Sequence, residues 1–222
     1  MITAEQKPID EIREMIAPYR RILVVGCGSC VAECAAGGQK ETAMLASTLR
    51  MAAKMHGEEV LIEEMTLDRQ CVKEFVLLLD DVIDTYDAVL SLGCGAGVQS
   101  VADMYPEVPV IPGLNTEFMG ETKDQGYWTE SCLGCGDCML YYFGGVCPLA
   151  RCSKHLLNGP CGGSMDGRCE VDPDIPCAWQ LIIDRLEKLG ALERLEMIYP
   201  PKDWSLKQGR GPRKIIREDQ QK

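Results

Sequence analysis

Twelve of the 13 cysteines in this 222-residue chain fall in short-spaced groups beside glycine and proline, the arrangement of thiolate ligands and not of scattered core cysteines. The first group is Cys27, Cys30 and Cys34, separated by two and then three residues in GCGSCVAECAAGG, directly after an apolar run. Gly26 and Gly28 let the backbone wrap a metal centre and leave N–H groups free to hydrogen-bond sulfur. Three thiolates need a fourth, and Cys94, in the second Gly-Cys-Gly of the chain, is the candidate. A [4Fe–4S] cluster is the preferred occupant of these four, ahead of structural zinc or simple burial.

A second set of eight cysteines lies between Cys132 and Cys177. Cys132, Cys135 and Cys138 in SCLGCGDC, followed by Cys147-Pro148, have spacing similar to the ligand run of bacterial ferredoxins, except that eight residues precede Cys147 where those proteins have three. Cys147 belongs either with that trio or with Cys152, Cys161, Cys169 and Cys177; the first grouping is the working partition. Eight thiolates suit two four-ligand sites, and spacing does not distinguish two cubanes from one cubane and one zinc. The expected complement is two or three [4Fe–4S] clusters, with zinc in one tetracysteine site as the alternative.

Other chemistry has little material. Gly26-Cys27-Gly28-Ser29-Cys30-Val31 begins like a dinucleotide fingerprint, but Val31 stands where the third glycine belongs and cysteines crowd the place of a pyrophosphate. The spacing is also the reverse of the pattern used for radical chemistry on adenosylmethionine. With two histidines and no Gly-x-Ser-x-Gly, a hydrolytic triad cannot be assembled. His56 reads as a surface residue, and His155 as a donor to a neighbouring site or, less favoured, a ligand. Glu63-Glu64 and Asp80-Asp81 read as solvated faces, and no residue is assigned a catalytic role. Cys71, alone on an apolar stripe, reads as a small core hydrophobe.

The elements that would position these groups alternate. An acidic helix over residues 8–18 precedes a buried strand, Arg21–Val25, that ends at Gly26. Met44, Leu45, Leu49, Ala52 and Ala53 recur at helical spacing over residues 41–56, with Gly57 as a stop. Val60–Ile62 forms a strand; Val72, Phe75, Val76, Leu79, Val82 and Ile83 line a second helix from Cys71 to Tyr86; Ala88–Leu92 and Val108–Ile111 complete the strands. The fold class is therefore α/β, a small doubly wound parallel sheet with both Gly-Cys-Gly turns at the C-terminal edge of its strands. A cysteine-rich, metal-organised module and a closing helix follow, the helix carrying Trp179, Ile182, Ile183, Leu186 and Leu189. The expected domains are 1–120 for the α/β part, 121–199 for the module with its helix, and 200–222 for a polar tail. That tail is locally basic, with Lys202, Lys207, Arg210, Arg213, Lys214 and Arg217, and reads as a solvated or docking arm.

Twenty-three basic against 34 acidic side chains give a net charge of −11, which argues against nucleic acid as a partner. The first 21 residues alternate charge with short apolar pieces and resemble no signal peptide, and no stretch reaches the length of a membrane-spanning helix. A cytoplasmic location is expected, where thiols stay reduced and disulfides do not form.

The run from Cys132 through GGVCPLARCSKHLLNGPCGGSMDGRCEV to Pro176-Cys177-Ala178-Trp179, with GCGSCVAECAAGGQKE and SLGCGAGVQ upstream, resembles the small iron–sulfur subunit of methylenetetrahydrofolate reductase. This family takes its name from the methylenetetrahydrofolate reductase C-terminal domain and occurs in acetogens and other anaerobes. The likeness spans the chain from residue 20 to near residue 195, and NGPCGG followed by G-x-C-E-V is its specific signal. It implies a hetero-oligomer with a flavin-bearing catalytic subunit, the flavin lying in the partner and not in this chain. Electrons would come from a donor such as ferredoxin or a flavoprotein and reach that flavin, which reduces methylenetetrahydrofolate in the one-carbon (Wood–Ljungdahl) pathway. This chain would then be a non-catalytic electron-transfer subunit. The competing reading is a zinc-binding structural subunit that braces the flavoprotein, and an enzyme acting alone is disfavoured by the missing acid/base motifs.

Overall fold

The structure is a computed structural model that describes residues 1–207 and 212–220. It divides into two compact units, Met1–Thr129 and Glu130–Lys222.

The first unit runs β1 (Ile2–Gln6), α1 (Ile9–Ile16), β2 (Arg21–Cys27), α2 (Cys30–Glu33), α3 (Gln39–His56), β3 (Leu61–Leu67), α4 (Lys73–Val76), β4 (Ala88–Ser91), α5 (Gly95–Met104), β5 (Val110–Pro112), β6 (Leu114–Asp124) and β7 (Tyr127–Glu130). Four strands form a parallel sheet in the order β3-β2-β4-β5, with Arg21 beside Leu61, Ile22 beside Ala88 and Val89 beside Val110. Alternate residues of β2 serve opposite faces, as a strand's two-residue period requires. Ile22 and Val24 pack with Leu45, Ala46 and Leu49 of α3 and with Ile12 and Ile16 of α1. Leu23 and Val25 pack with Val76, Leu79, Ile83 and Val101. Both faces are covered, which is why β2 reads as a continuous apolar run. Strand order reverses between β2 and β4, so Cys27 and Cys94 follow the two strands that flank the switch point.

Three local expectations need correction. The helix expected from Cys71 to Tyr86 is broken into the single turn α4 and two 3-10 turns, Leu77–Leu79 and Ile83–Thr85. The Tyr105 hydroxyl lies 3.0 Å from Val76 O and 2.7 Å from Asp80 Oδ1, so it competes for a carbonyl that a continuous helix would use. Cys71 is exposed and is no core residue. Met44, placed on the apolar stripe of α3, is also exposed; Thr42 and Ala46 are buried instead.

A second, antiparallel sheet, β1-β6-β7, joins the chain start to the segment after β5, with Ala4 opposite Thr116 and Gln6 opposite Leu114. Nothing in the pattern predicted it, because β6 is largely exposed and carries no apolar alternation. Gly113 links β5 to β6: its N–H donates to Ser91 O at 2.8 Å and its carbonyl accepts from Lys7 N at 3.0 Å.

The second unit has little regular structure besides α6 (Pro148–Arg151) and α7 (Ala178–Lys188). Its apolar core is small: Phe143, Cys177, Trp179, Ile182, Leu186 and Ala191. Phe143 meets Trp179 edge-on at 5.7 Å between ring centres, and Trp179 Nε1 donates to Leu156 O at 3.1 Å. α7 is the expected closing helix, although Leu189 points to solvent. The basic tail is not a free arm throughout. Lys202, whose side chain is only 4% exposed, donates to Asp137 O and Oδ2 at 2.7 Å each, and Arg213 donates to Gly134 O at 3.0 Å. Arg210 lies outside the described residues. Among the described residues no helix is long and apolar enough to cross a membrane.

Candidate cysteine sites

At the switch point of the parallel sheet, β2 ends on Cys27, whose N–H donates to Gly37 O at 2.8 Å. Cys30 opens the single turn α2, and Cys94 caps the N-terminus of α5. The Gly95 N–H next to it donates to Thr116 Oγ1 at 2.8 Å, so the antiparallel sheet braces the Cys94 turn. Cys30 and Cys94 are half-buried, and Cys27 is buried. Cys34 differs from these three. Its thiol donates towards Ala4 O at 3.6 Å and Val31 O at 3.7 Å, and burial pushes it above the ordinary thiol range.

Sequence reasoning missed the residue that ties this edge together. Gln70 is fully buried; its Nε2 donates to Val25 O at 2.8 Å and Gly26 O at 3.1 Å, and its Oε1 accepts from Ser91 Oγ at 2.5 Å. One side chain thus satisfies the ends of β2 and β4 where their ladders diverge. A lone glutamine in the polar stretch DRQC carries no sequence signal of that role.

In the second unit, Cys132, Cys135, Cys138 and Cys147 all line one hollow of about 200 Å³, with Leu133, Met139, Leu140 and Leu149 supplying apolar wall. Gly134 and Gly136 adopt φ of 60° and 89°, a left-handed backbone that lets the loop curl and that other residues enter at a cost. The Gly134 N–H donates to Cys132 Sγ at 3.4 Å. The ammonium of Lys202 and the guanidinium of Arg213 lie against the same loop.

The other four cysteines are divided. Cys177 is buried at the N-terminus of α7 and Cys152 packs against the same apolar core. Cys161 donates to Glu170 Oε2 at 3.2 Å, while Cys169 shares a 3.5 Å hydrogen bond with Ser153 Oγ that holds its pKa down. Lys154, paired with Glu170 at 2.7 Å, is within electrostatic reach of both Cys161 and Cys169. His155 Nδ1 donates to Leu149 O at 2.5 Å, since a carbonyl oxygen can only accept. His56 lies exposed at the end of α3.

Among the described residues, no three Cys, His, Asp or Glu side chains close on a single metal-ion position. A four-iron cluster does not ask for that convergence, because each thiolate takes a different iron. All-thiol donor sets on glycine-bearing loops, one with an N–H already on sulfur, have the chemistry that such a cluster requires.

Residues 111–205 match the model of a protein family described as methylene-tetrahydrofolate reductase C terminal, which relates this part of the chain to that enzyme. The match takes in the last two residues of β5, both strands of the β6–β7 hairpin and all eight cysteines from Cys132 to Cys177; it stops short of Cys27, Cys30, Cys34, Cys71 and Cys94. No curated protein and no solved structure matches the chain.

Proposed function

We propose that this chain is an iron–sulfur electron-transfer subunit that passes electrons to the flavin of a partner methylenetetrahydrofolate reductase subunit in one-carbon (Wood–Ljungdahl) metabolism. The observation that carries the reading is the gathering of Cys132, Cys135, Cys138 and Cys147 around one hollow, inside the stretch related to methylene-tetrahydrofolate reductase. Bound there, a [4Fe–4S] cluster would take up and release one electron at a time. Cys132, Cys135, Cys138 and Cys147 would hold it, and Cys27, Cys30 and Cys94, with Cys34 as the fourth residue of the sequence pattern, would hold another at the sheet edge. The remaining four, Cys152, Cys161, Cys169 and Cys177, would hold a third cluster or a structural zinc.

The chain's own residues would set the electron's energy. The Gly134 N–H on Cys132 Sγ and the positive charges of Lys202 and Arg213 favour the more negative, reduced state. Leu133, Met139, Leu140 and Leu149 supply apolar wall beside the sulfurs, of which those of Cys132 and Cys138 belong to exposed residues. On this reading, bond chemistry on folate belongs to the partner.

The test is iron, zinc and acid-labile sulfide per chain on anaerobically purified protein, followed by reduction of the partner flavin by a low-potential donor in Cys30→Ala and Cys135→Ala variants. Iron with matching sulfide and impaired transfer are expected. Zinc alone would mean that the chain braces a partner, and unchanged transfer in both variants would remove the relay.

A further inference from the structure

β3 runs on to Leu67, and the chain turns through Asp68, Arg69 and Gln70 before α4 begins at Lys73, which leaves Cys71 exposed on that turn. The turn is fixed on both sides. Towards β2, Gly28 N–H donates to Leu67 O at 2.8 Å, Arg69 Nε donates to Ser29 Oγ at 3.0 Å, and Cys27 Sγ lies 4.0 Å from Asp68 O. Towards β4, a Cβ on Gly93 would stand 2.6 Å from Gln70 Oε1, and one on Gly97 would stand 2.9 Å from Gln70 Cβ. Only glycine lets the segment after Ser91 approach this closely. Gln70 is itself pinned to Val25, Gly26 and Ser91, so the next residue is held between the two cysteine-bearing turns.

The thiols around it agree with that placement. Cys94, Cys27 and Cys30 are all within electrostatic reach of Cys71. Cys34 shares its apolar cluster with Cys27, and Cys94 packs against the same cluster, but the Cys34 thiol is directed at the carbonyls of Ala4 and Val31.

We propose that Cys71 is the fourth thiolate of the edge site, with Cys27, Cys30 and Cys94, and that Cys34 is a packing residue of the adjoining core. The assignment rests on the cluster reading above and changes one of its ligands. It replaces a ligand chosen by nearness in sequence with one brought in by the crossover from β3, so that three separate turns clamp one centre.

The experiment uses the full-length chain, purified anaerobically, as wild type and as Cys27→Ala, Cys34→Ala and Cys71→Ala. Iron and acid-labile sulfide are counted per chain, and the reduced proteins are compared by electron paramagnetic resonance. Cys71→Ala should lose up to about four iron, as Cys27→Ala does, while Cys34→Ala keeps the wild-type count and spectrum. Full iron in Cys71→Ala, with loss in Cys34→Ala, would overturn the assignment and leave the cluster reading intact. No loss in Cys27→Ala would overturn the cluster at this edge altogether. If both Cys34→Ala and Cys71→Ala lose iron, alkylation of the wild type decides. Cys71 should resist iodoacetamide in the loaded protein and react after chelation; equal labelling in both states removes it from the site.

Discussion

Gln70 bears more of the first unit's order than its position in the sequence suggests. Replacing it by Ala leaves Ser91 Oγ and the carbonyls of Val25 and Gly26 without their buried partner, a loss of about 1–3 kcal/mol. Urea unfolding of the Gln70→Ala variant should show that drop. Asp87 works at the other end of the same strands, accepting from the Arg20 and Arg21 N–H groups and from the Arg21 guanidinium. The Arg21 side chain, then those two N–H groups, hold its carboxyl below the ordinary carboxylate range. A depressed pKa contributes stability above the unfolded value, near ~3.9, and loses it as pH falls through the folded value. Asp87→Asn should therefore lower the urea midpoint at pH 7 and leave it unchanged once the pH is below that folded value. In the second unit, Lys202→Met should lower the midpoint potential of a cluster held by Cys132, Cys135, Cys138 and Cys147, since it removes a positive charge from the loop. A redox titration read by electron paramagnetic resonance measures that shift.

At the scale of elements, close approach matters as much as apolar patterning. A Cβ on Gly37 would stand 2.0 Å from Leu92 O, so Gly37→Ala must push the loop after α2 away from the end of β4. A cost of about 1–3 kcal/mol is expected, visible in the urea midpoint. Such glycines are legible in the sequence only as loop residues, whereas β2 and β4 announced themselves as unbroken apolar runs. The parallel sheet and α7 were legible for the same reason: each buries a continuous face. β1 and β6 were not, because their pairing is carried by backbone hydrogen bonds between largely polar segments. The stripe from Val72 to Ile83 misled in the opposite way. Val76, Leu79 and Ile83 are buried and Val72, Phe75 and Val82 half-buried, but on broken turns, and the expected helix had put Cys71 in the core. Spacing grouped Cys132, Cys135, Cys138 and Cys147, which line one hollow, because those residues are close in sequence. At the sheet edge the neighbours come from distant segments, and no spacing rule reaches from Cys30 to Cys71.

The two units differ in what they have to fold with. The first has two sheets and two apolar clusters; the second has one cluster, of six buried residues that include Phe143 and Trp179. Phe143→Ala should cost the second unit about 3–5 kcal/mol. On the cluster reading proposed above, anaerobic removal of iron should act as unevenly: hydrogen exchange should rise across residues 130–199 while the amides of β2 and β4 stay protected.

Gly113 gives the chain a seam where a family boundary would suggest a cut. Its N–H is bonded to β4 and its carbonyl to the residue after β1, so β5 and β6 are one continuous piece shared by two sheets. A fragment beginning at residue 111 would inherit β6 without β1, and with it an open strand edge that invites aggregation. A junction meant to move the cysteine-rich unit intact therefore belongs after the β6–β7 hairpin, where the two units divide.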